Sequence, residues 1–472
     1  MPNQWPPSSA WPGTAADVDV PEGVDDTRWG WVELFIGIQL LWGVLLFVPG
    51  MQPYRLYIRA LPYVASLAAL VYYGSRASDG RLPASGRWLV AAFALMALNL
   101  LHPSTHLMAG LAQVVFQVTI AAPMFWMARS VRSEMKLHRV LVIMFAASFA
   151  SAAVGVLQAY YPDQFLPPEF SALARSLNPD YVDALTYVGA DGRLIVRPPG
   201  LSDLPGGAAI SGLVTVILGV ALTAYGQPSR VRRGMYLGAA VIGMTALYLT
   251  QVRSLTIMAP VAVLVFAVLR LRQGRWTEGG AIAIGGGVMV VGSFIWAVAV
   301  GGESLSERFS SLFDTGFFTT FQENRGLFLE YTLTELLYQF PLGAGLGRWG
   351  MMHVYFSDPG MWQSPAIHVE IQITGWLLDG GVPMWICYGG ALLAAVLFAY
   401  RTAIDGQTEG LRYFAAVVLA MQAVVLGLCL TGPVFNTQLG IQFWAMTAAL
   451  LGVERTAPEQ PEAGGLLEEQ EE

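Results

Sequence analysis

Apolar runs close to the thickness of a lipid bilayer recur along this chain and constrain its fold more than any other feature. Examples are "ELFIGIQLLWGVLLFV" at 33–48 and "AIAIGGGVMVVGSFIWAVAV" at 281–300. About 20 apolar residues cross the hydrocarbon core as a helix. Charged residues make up 12% of the 472-residue chain, whereas soluble proteins carry about 25%. The sequence therefore predicts an all-α polytopic membrane protein.

Clusters of arginine and lysine predict the direction in which the helices cross the membrane. The clusters lie at 76–87, 129–139, 229–234, 270–275 and 401–412. Cytoplasmic loops carry an excess of these residues, and placing every cluster inside predicts about twelve spans with both termini cytoplasmic. The predicted spans lie near 31–48, 59–74, 88–101, 111–127, 139–157, 207–225, 235–251, 254–270, 279–299, 382–400, 411–431 and 438–453. Arg55 and Arg59 fall on the opposite side from these clusters.

The polar segments divide the predicted spans into groups. Residues 1–30 and 454–472 carry net charges of −4 and −6 and are predicted to be disordered, acidic cytoplasmic tails. Two long segments are predicted to be periplasmic loops, the second of them partly helical. These loops are 158–206 and 301–381, and they separate N-terminal, central and C-terminal membrane helices at 31–157, 207–300 and 382–453.

The segment "GLGRWG" at 345–350 matches a dinucleotide-binding pattern, G-x-G-x-x-G. That pattern needs a preceding strand, but "ENRGLFLEYTLTELLYQFP" before it predicts an amphipathic helix capped by Asn324 and ended by Pro341. The glycines are instead predicted to form a tight turn that permits close backbone approach. A nest of backbone amides that binds an anion is the alternative interpretation.

Several arginines are predicted to lie on the outer side of the membrane, although the clusters of arginine and lysine are predicted to lie on the cytoplasmic side. They are Arg197, Arg253, Arg308, Arg325 and Arg348. The planar guanidinium matches the oxygens of a phosphate group. An interfacial anchor or a salt-bridged loop end is the alternative role for each arginine taken singly.

His368 opens the segment "HVEIQITGWLLDGG", for which we predict a helix. On that helix His368, Gln372, Gly375 and Asp379 would share one face. An imidazole in the outer loop is suited to take a proton from a hydroxyl group. The sequence contains no metal-binding motif and no serine-hydrolase elbow, so neither a metal nor another cofactor is expected.

Four segments in this order resemble the O-antigen ligase and polymerase superfamily of bacterial envelopes. They are "RPPG" at 197–200, "TQVR" at 250–253, "PLGAGLG" at 341–347 and "HVEIQITGWLLDGGVP" at 368–383. The family often has Asn or Asp directly after its loop histidine. This chain has Val369 there, with Glu370 one position later.

The resemblance implies an inverting, metal-independent glycosyltransferase of GT-C-like fold in the bacterial inner membrane. Its donor would be an undecaprenyl diphosphate-linked glycan, its acceptor a glycan or a lipid, and nucleic acid would not be a partner. Ligase and polymerase activities both fit this resemblance. It assigns catalysis to His368, diphosphate binding to Arg197 and Arg253, and a donor or acceptor loop to Arg308, Arg325, Arg348, Gly343, Gly345 and Gly347.

A secondary transporter is the alternative function, and a non-catalytic scaffold is a third. Transporters place ionisable residues and paired broken helices at the membrane midplane. The predicted spans show neither an Asp, Glu or Lys in mid-helix nor a matching pair of interrupted helices. Replacing Arg253 with lysine distinguishes a diphosphate-binding arginine from an interfacial anchor, because diphosphate binding needs the guanidinium and anchoring does not.

Overall fold

The fold is an α-helical bundle with one short β-hairpin. The computed structural model describes residues 29–48, 50–74, 82–166, 186–188, 194–202, 204, 206–226, 228–301, 316, 319, 321–358, 360 and 364–456. Both predicted acidic tails lie almost wholly outside these ranges, as do Arg308 and most of the first predicted loop.

The N-terminal half of the bundle ends in the hairpin. Its helices are α1 (Trp31–Leu41, continued by the 3-10 turn Trp42–Phe47), α2 (Arg55–Gly74), α3 (Ala84–Asn99), α4 (Leu107–Ala121), α5 (Pro123–Trp126), α6 (Glu134–Tyr160) and α7 (Pro162–Phe165). Strands β1 (Thr186–Val188) and β2 (Leu194–Val196) pair antiparallel. The described chain is otherwise helical, as predicted, and this short hairpin lies directly before Arg197.

Within the described ranges, the C-terminal half contains eight further α-helices besides the turns of the loop described below. They are α8 (Gly207–Ala224), α9 (Arg230–Thr250), α10 (Arg253–Arg272), α11 (Trp276–Gly301), α12 (Gly350–Phe356), α13 (Gln372–Asp405), α14 (Glu409–Leu428) and α15 (Gln438–Thr456). Between α11 and α12 lies what we call the loop helix. It alternates π-helical and α-helical turns, at Gln322–Gly326, Leu327–Tyr331, Thr332–Leu336 and Leu337–Gln339.

Seven helices in the described parts of the chain are long and apolar enough to cross a membrane. They are α2, α6, α8, α10, α11, α13 and α14. The pair α4 and α5, bent by 43° at its junction, makes an eighth if it forms one span. Helices α1 and α3 are apolar but shorter. The chain is therefore a polytopic helical membrane protein, as its apolar runs predicted.

Burial separates central from peripheral helices. In α8 and α14, 78% of the apolar window is buried in protein, compared with 22% in α11. Helices α8 and α9 cross at Gly212 and Gly243, where a Cβ on Gly212 would lie 2.5 Å from the Gly243 carbonyl oxygen. Small residues let membrane helices approach closely. These two glycines therefore allow the backbones to touch in the core.

Two helix boundaries differ from prediction. The helix expected to begin at His368 begins at Gln372, because residues 365–370 are irregular and Ile371 is extended. His368 therefore does not share a helical face with Asp379. The helix expected to be capped by Asn324 already includes that residue, which lies in the first π-helical turn of the loop helix.

Candidate functional site

Alternating glycines shape the segment that joins the loop helix to α12. Gly343, Gly345 and Gly347 all have positive φ, at 106°, 89° and 72°, a backbone region that strongly favours glycine. A Cβ on Gly345 would lie 2.9 Å from both the Ser104 carbonyl carbon and the Thr105 nitrogen. The predicted tight turn and close backbone approach are therefore confirmed.

Hydrogen bonds fix this glycine segment between two parts of the membrane bundle. The Leu346 amide donates to Thr105 Oγ1 at 2.9 Å, and the His106 amide donates to the Leu346 carbonyl at 3.1 Å. The Ala344 amide donates to the Leu378 carbonyl in α13 at 2.8 Å. The Ala344 and Leu346 amides are thus used within the protein, which weakens the alternative of an anion-binding nest.

Arg348 connects the glycine segment to the stretch that carries His368. Its side chain is buried, with Nη1 donating to the Ala344 carbonyl at 3.0 Å. Nε and Nη2 both donate to the Pro365 carbonyl, at 3.3 and 3.2 Å. Burial lowers the pKa of the Arg348 guanidinium. The Arg348 guanidinium thus joins the glycine segment to Pro365, three residues before His368.

His368, Glu370 and Arg325 form a chain of charged side chains. His368 Nε2 lies 2.7 Å from Glu370 Oε1, and the other carboxylate oxygen pairs with Arg325 Nη1. The His368 side chain is 70% exposed, and its ring stands 5.8 Å from that of Phe328 in the loop helix. An Nε2–H that donates to Glu370 leaves Nδ1 as the proton acceptor of this largely exposed ring.

Glu370 is therefore the site residue whose role the sequence reasoning missed. A carboxylate on one imidazole nitrogen fixes the tautomer and stabilises the imidazolium that forms when the other nitrogen takes a proton. The signal was its position two residues after His368. On the predicted helix, residues two apart would point to different sides, whereas the irregular stretch at 365–370 lets these two side chains meet.

The two segments that carry Arg197 and Arg253 meet at Gly206. The Gly206 amide donates to the Arg197 carbonyl at 3.5 Å, and a Cβ on Gly206 would lie 3.0 Å from Val252 Cγ2. Arg253 is the first residue of α10, after a turn in which Gln251 has a φ of 54°. The fold thus brings the predicted diphosphate-binding arginines to neighbouring segments.

Contacts place His368 at the same end of the bundle as Arg253. Met258 lies in α10, just over one helical turn after Arg253. A Cβ added to Gly427, at the carboxyl end of α14, would contact the Met258 side chain. The Cys429 carbonyl, which follows α14, accepts from the Gln372 amide at 3.1 Å. Gln372 is four residues after His368. Both predicted site regions therefore border the amino end of α10 and the carboxyl end of α14.

Asp379 lies buried beneath the glycine segment. Its Oδ1 accepts from Trp349 Nε1 at 2.7 Å and from Gln113 Nε2 at 2.8 Å, while Oδ2 has no hydrogen-bond partner within the described residues. The helix is interrupted immediately after it, at Gly380 and Gly381. Asp379 is thus a buried acidic residue within α13, at a position that the sequence analysis assigned to the second predicted loop.

No group of three or more His, Cys, Asp or Glu residues suited to a metal ion occurs in the ranges that the structure describes. The position of Arg308, the remaining predicted site residue, lies outside those ranges. No protein-family model matches the chain, and no curated protein matches it either.

Proposed function

We propose that the protein is an O-antigen ligase-like membrane glycosyltransferase. It would transfer or polymerise glycan from an undecaprenyl diphosphate-linked donor to an acceptor glycan or lipid, at the periplasmic face of the bacterial inner membrane. The observation that carries the proposal is the pairing of exposed His368 with Glu370 at 2.7 Å. Arg197 and Arg253 border the same end of the bundle, which supports a site for an anionic leaving group.

The proposed reaction is a single displacement. The acceptor hydroxyl oxygen attacks the anomeric carbon of the donor sugar, and its proton passes to His368 Nδ1. The bond from that carbon to the diphosphate oxygen breaks, and the diphosphate keeps the electron pair. Arg197 and Arg253 stabilise the negative charge that grows on it. Glu370 stabilises the imidazolium, and Arg325 holds Glu370 in place.

The proposal includes a membrane topology of about twelve spans with both termini cytoplasmic. Helices at each predicted position support it, although α9 and α15 are less apolar than the seven clearest spans. Single cysteines at His368 and at Arg232, in a chain lacking Cys387 and Cys429, test the orientation with a membrane-impermeant thiol reagent. Labelling of the Arg232 position in intact spheroplasts would contradict it.

A deletion strain complemented with variants tests the enzymatic proposal. Wild type should restore the surface polysaccharide, and His368→Ala should reduce glycan transfer by about 10²–10⁴-fold. Glu370→Gln should reduce it less, because the imidazole remains. Loss of long chains, with single repeats still attached to lipid, identifies a polymerase. Long chains left on undecaprenyl diphosphate identify a ligase.

The same experiment has a matched control. Thr334→Ala alters an exposed residue of the loop helix whose hydroxyl donates to the Glu330 carbonyl within that helix. It should leave both folding and transfer unchanged. If His368→Ala restores the polysaccharide as well as wild type does, His368 is not the catalytic base. If the deletion strain itself keeps a normal polysaccharide, the glycosyltransferase proposal fails.

A secondary transporter remains the second candidate, and Asp379 is the observation that favours it. A fully buried carboxylate beside a helix interruption is typical of ion and substrate pathways in transporters. Gln113, its hydrogen-bond donor, belongs to α4, which forms the bent pair with α5. An unchanged polysaccharide in the deletion strain, together with Asp379→Asn abolishing solute uptake by proteoliposomes, would favour this function.

A further inference from the structure

A large cleft opens at the opposite end of the bundle from His368. It lies between α8, α9 and α11 and has a volume of about 1030 Å³. Its walls are mainly apolar, with Val220, Leu237, Val241, Ile282 and Met289 among the lining residues. The surrounding helix ends are the carboxyl end of α10 and the amino ends of α9, α11 and α14, opposite to those around His368.

Ion pairs neutralise the acidic side chains at one edge of the cleft. Arg270 is only 2% exposed and donates two hydrogen bonds to the Glu278 carboxylate, at 2.8 and 2.7 Å. Its guanidinium also lies over the Tyr413 ring, 4.7 Å from the centroid. Arg275 pairs with Glu409. These four charges therefore cancel in pairs and leave no excess of either sign.

Glu134 is the third acid that lines the cleft, and its carboxylate contacts the amino end of α14. Its carboxylate accepts from the Thr408 hydroxyl, the N-cap residue of that helix. A Cβ added to Gly410, in the first turn of α14, would collide with the same carboxylate. The positive end of a helix dipole stabilises a carboxylate placed there. Among the described residues Glu134 is thus held by Thr408 and the amino end of α14, and it forms no salt bridge with the remaining cation of the cleft.

That remaining cation is Arg233. It lines the cleft from the first turn of α9 and is exposed. Within the described part of the chain no acidic side chain forms a salt bridge with it. Arg230 and Arg232 are exposed in the same turn. Among the described residues that line this apolar cleft, Arg233 is thus the arginine whose guanidinium has no salt bridge and can bind an anionic group.

We propose that this cleft binds a membrane phospholipid with an anionic headgroup. Its hydrocarbon chains lie against the apolar walls, and its phosphate binds the Arg233 guanidinium, which forms strong charge-assisted hydrogen bonds with phosphate oxygens. Basic pockets between membrane helices recognise anionic lipid headgroups through this combination. The proposal does not depend on the function at His368.

Lipid titration followed by native mass spectrometry tests this site on the full chain, delipidated in detergent. Wild type should bind phosphatidylglycerol more tightly than phosphatidylcholine. Arg233→Gln should weaken phosphatidylglycerol binding about fivefold and remove the preference, as the loss of one interfacial cation predicts. Arg230→Gln, in the same helical turn but outside the cleft lining, is the matched control and should keep the preference.

A second pair of variants tests the hydrocarbon part of the cleft. Gly285 lines the cleft, whereas Gly292 lies in the same helix outside the cleft. A Cβ added to either glycine has no atom within 4 Å. Gly285→Leu should therefore weaken binding of both phospholipids, whereas Gly292→Leu should not. Equal lipid binding by these two variants, or an unchanged preference in Arg233→Gln, overturns the proposal. Full displacement of phosphatidylglycerol by excess inorganic phosphate also overturns it, since the site would then bind free phosphate.

Discussion

Replacing Gly345 with alanine should destabilise the protein through two separable costs. The first cost is conformational. The backbone φ at this position is 89°, and an L-residue other than glycine is destabilised there by about 1–2 kcal/mol. The second is steric, because the new Cβ would lie 2.9 Å from the Ser104 carbonyl carbon and the Thr105 nitrogen. Both atoms belong to the backbone and cannot rotate away.

The two costs together give the expected magnitude. Overpacking a close-packed site costs about 1–3 kcal/mol, so Gly345→Ala should lower the free energy of unfolding by about 2–5 kcal/mol. Gly226→Ala isolates the first cost. Its φ is 64°, and a Cβ there meets nothing within 4 Å. That variant should lose only about 1–2 kcal/mol.

Thermal unfolding of the purified variants in one detergent measures the difference. Gly345→Ala should unfold at the lowest temperature, Gly226→Ala at an intermediate one, and wild type at the highest. Transfer activity should fall in Gly345→Ala alone, because the glycine segment positions Arg348 and through it the stretch leading to His368. Equal unfolding temperatures for the two glycine variants would refute the steric reasoning.

Three further predictions concern buried charges and the proposed site. Asp379→Ala should destabilise the protein by about 2–6 kcal/mol because it leaves two buried donors unpaired. Asp379→Asn should destabilise it less, because the amide keeps an acceptor oxygen. Equal unfolding temperatures for these two variants would contradict the prediction. Glu278→Gln should cost about 3–5 kcal/mol by leaving Arg270 buried without its main partner, while exposed Arg272→Ala should change stability by no more than about 0.5 kcal/mol. Arg253→Lys should lower glycan transfer without lowering the unfolding temperature, since lysine keeps the charge but not the forked donors; full activity would identify a simple anchor.

The hydrophobic pattern predicted the bounds of a helix well when that helix is apolar along its whole length. The predicted spans 207–225 and 411–431 correspond closely to α8 (Gly207–Ala224) and α14 (Glu409–Leu428). Both are central helices, so every face must be apolar and the pattern is continuous. The turn at Gly345 was likewise predictable, because few other residues tolerate its backbone conformation.

The positions of polar side chains were predicted less well, because they depend on distant contacts. Arg348 was predicted to belong to a donor or acceptor loop, and the sequence did not predict its hydrogen bonds to the backbone carbonyls of Ala344 and Pro365. Asp379 was assigned to a loop, and its burial follows from packing against Trp349 and α4. Neither residue carries a local signal that distinguishes an exposed ligand from a buried structural group.

The sequence by itself determined that this chain crosses a membrane as helices, because only long apolar segments are stable in hydrocarbon. It also predicts acid–base chemistry at His368 and anion binding at Arg197 and Arg253. The tertiary structure alone decided that Glu370 pairs with both His368 and Arg325. That pairing requires the loop helix to fold back onto a stretch over 40 residues away, and contacts at such separation leave no periodic trace in a sequence.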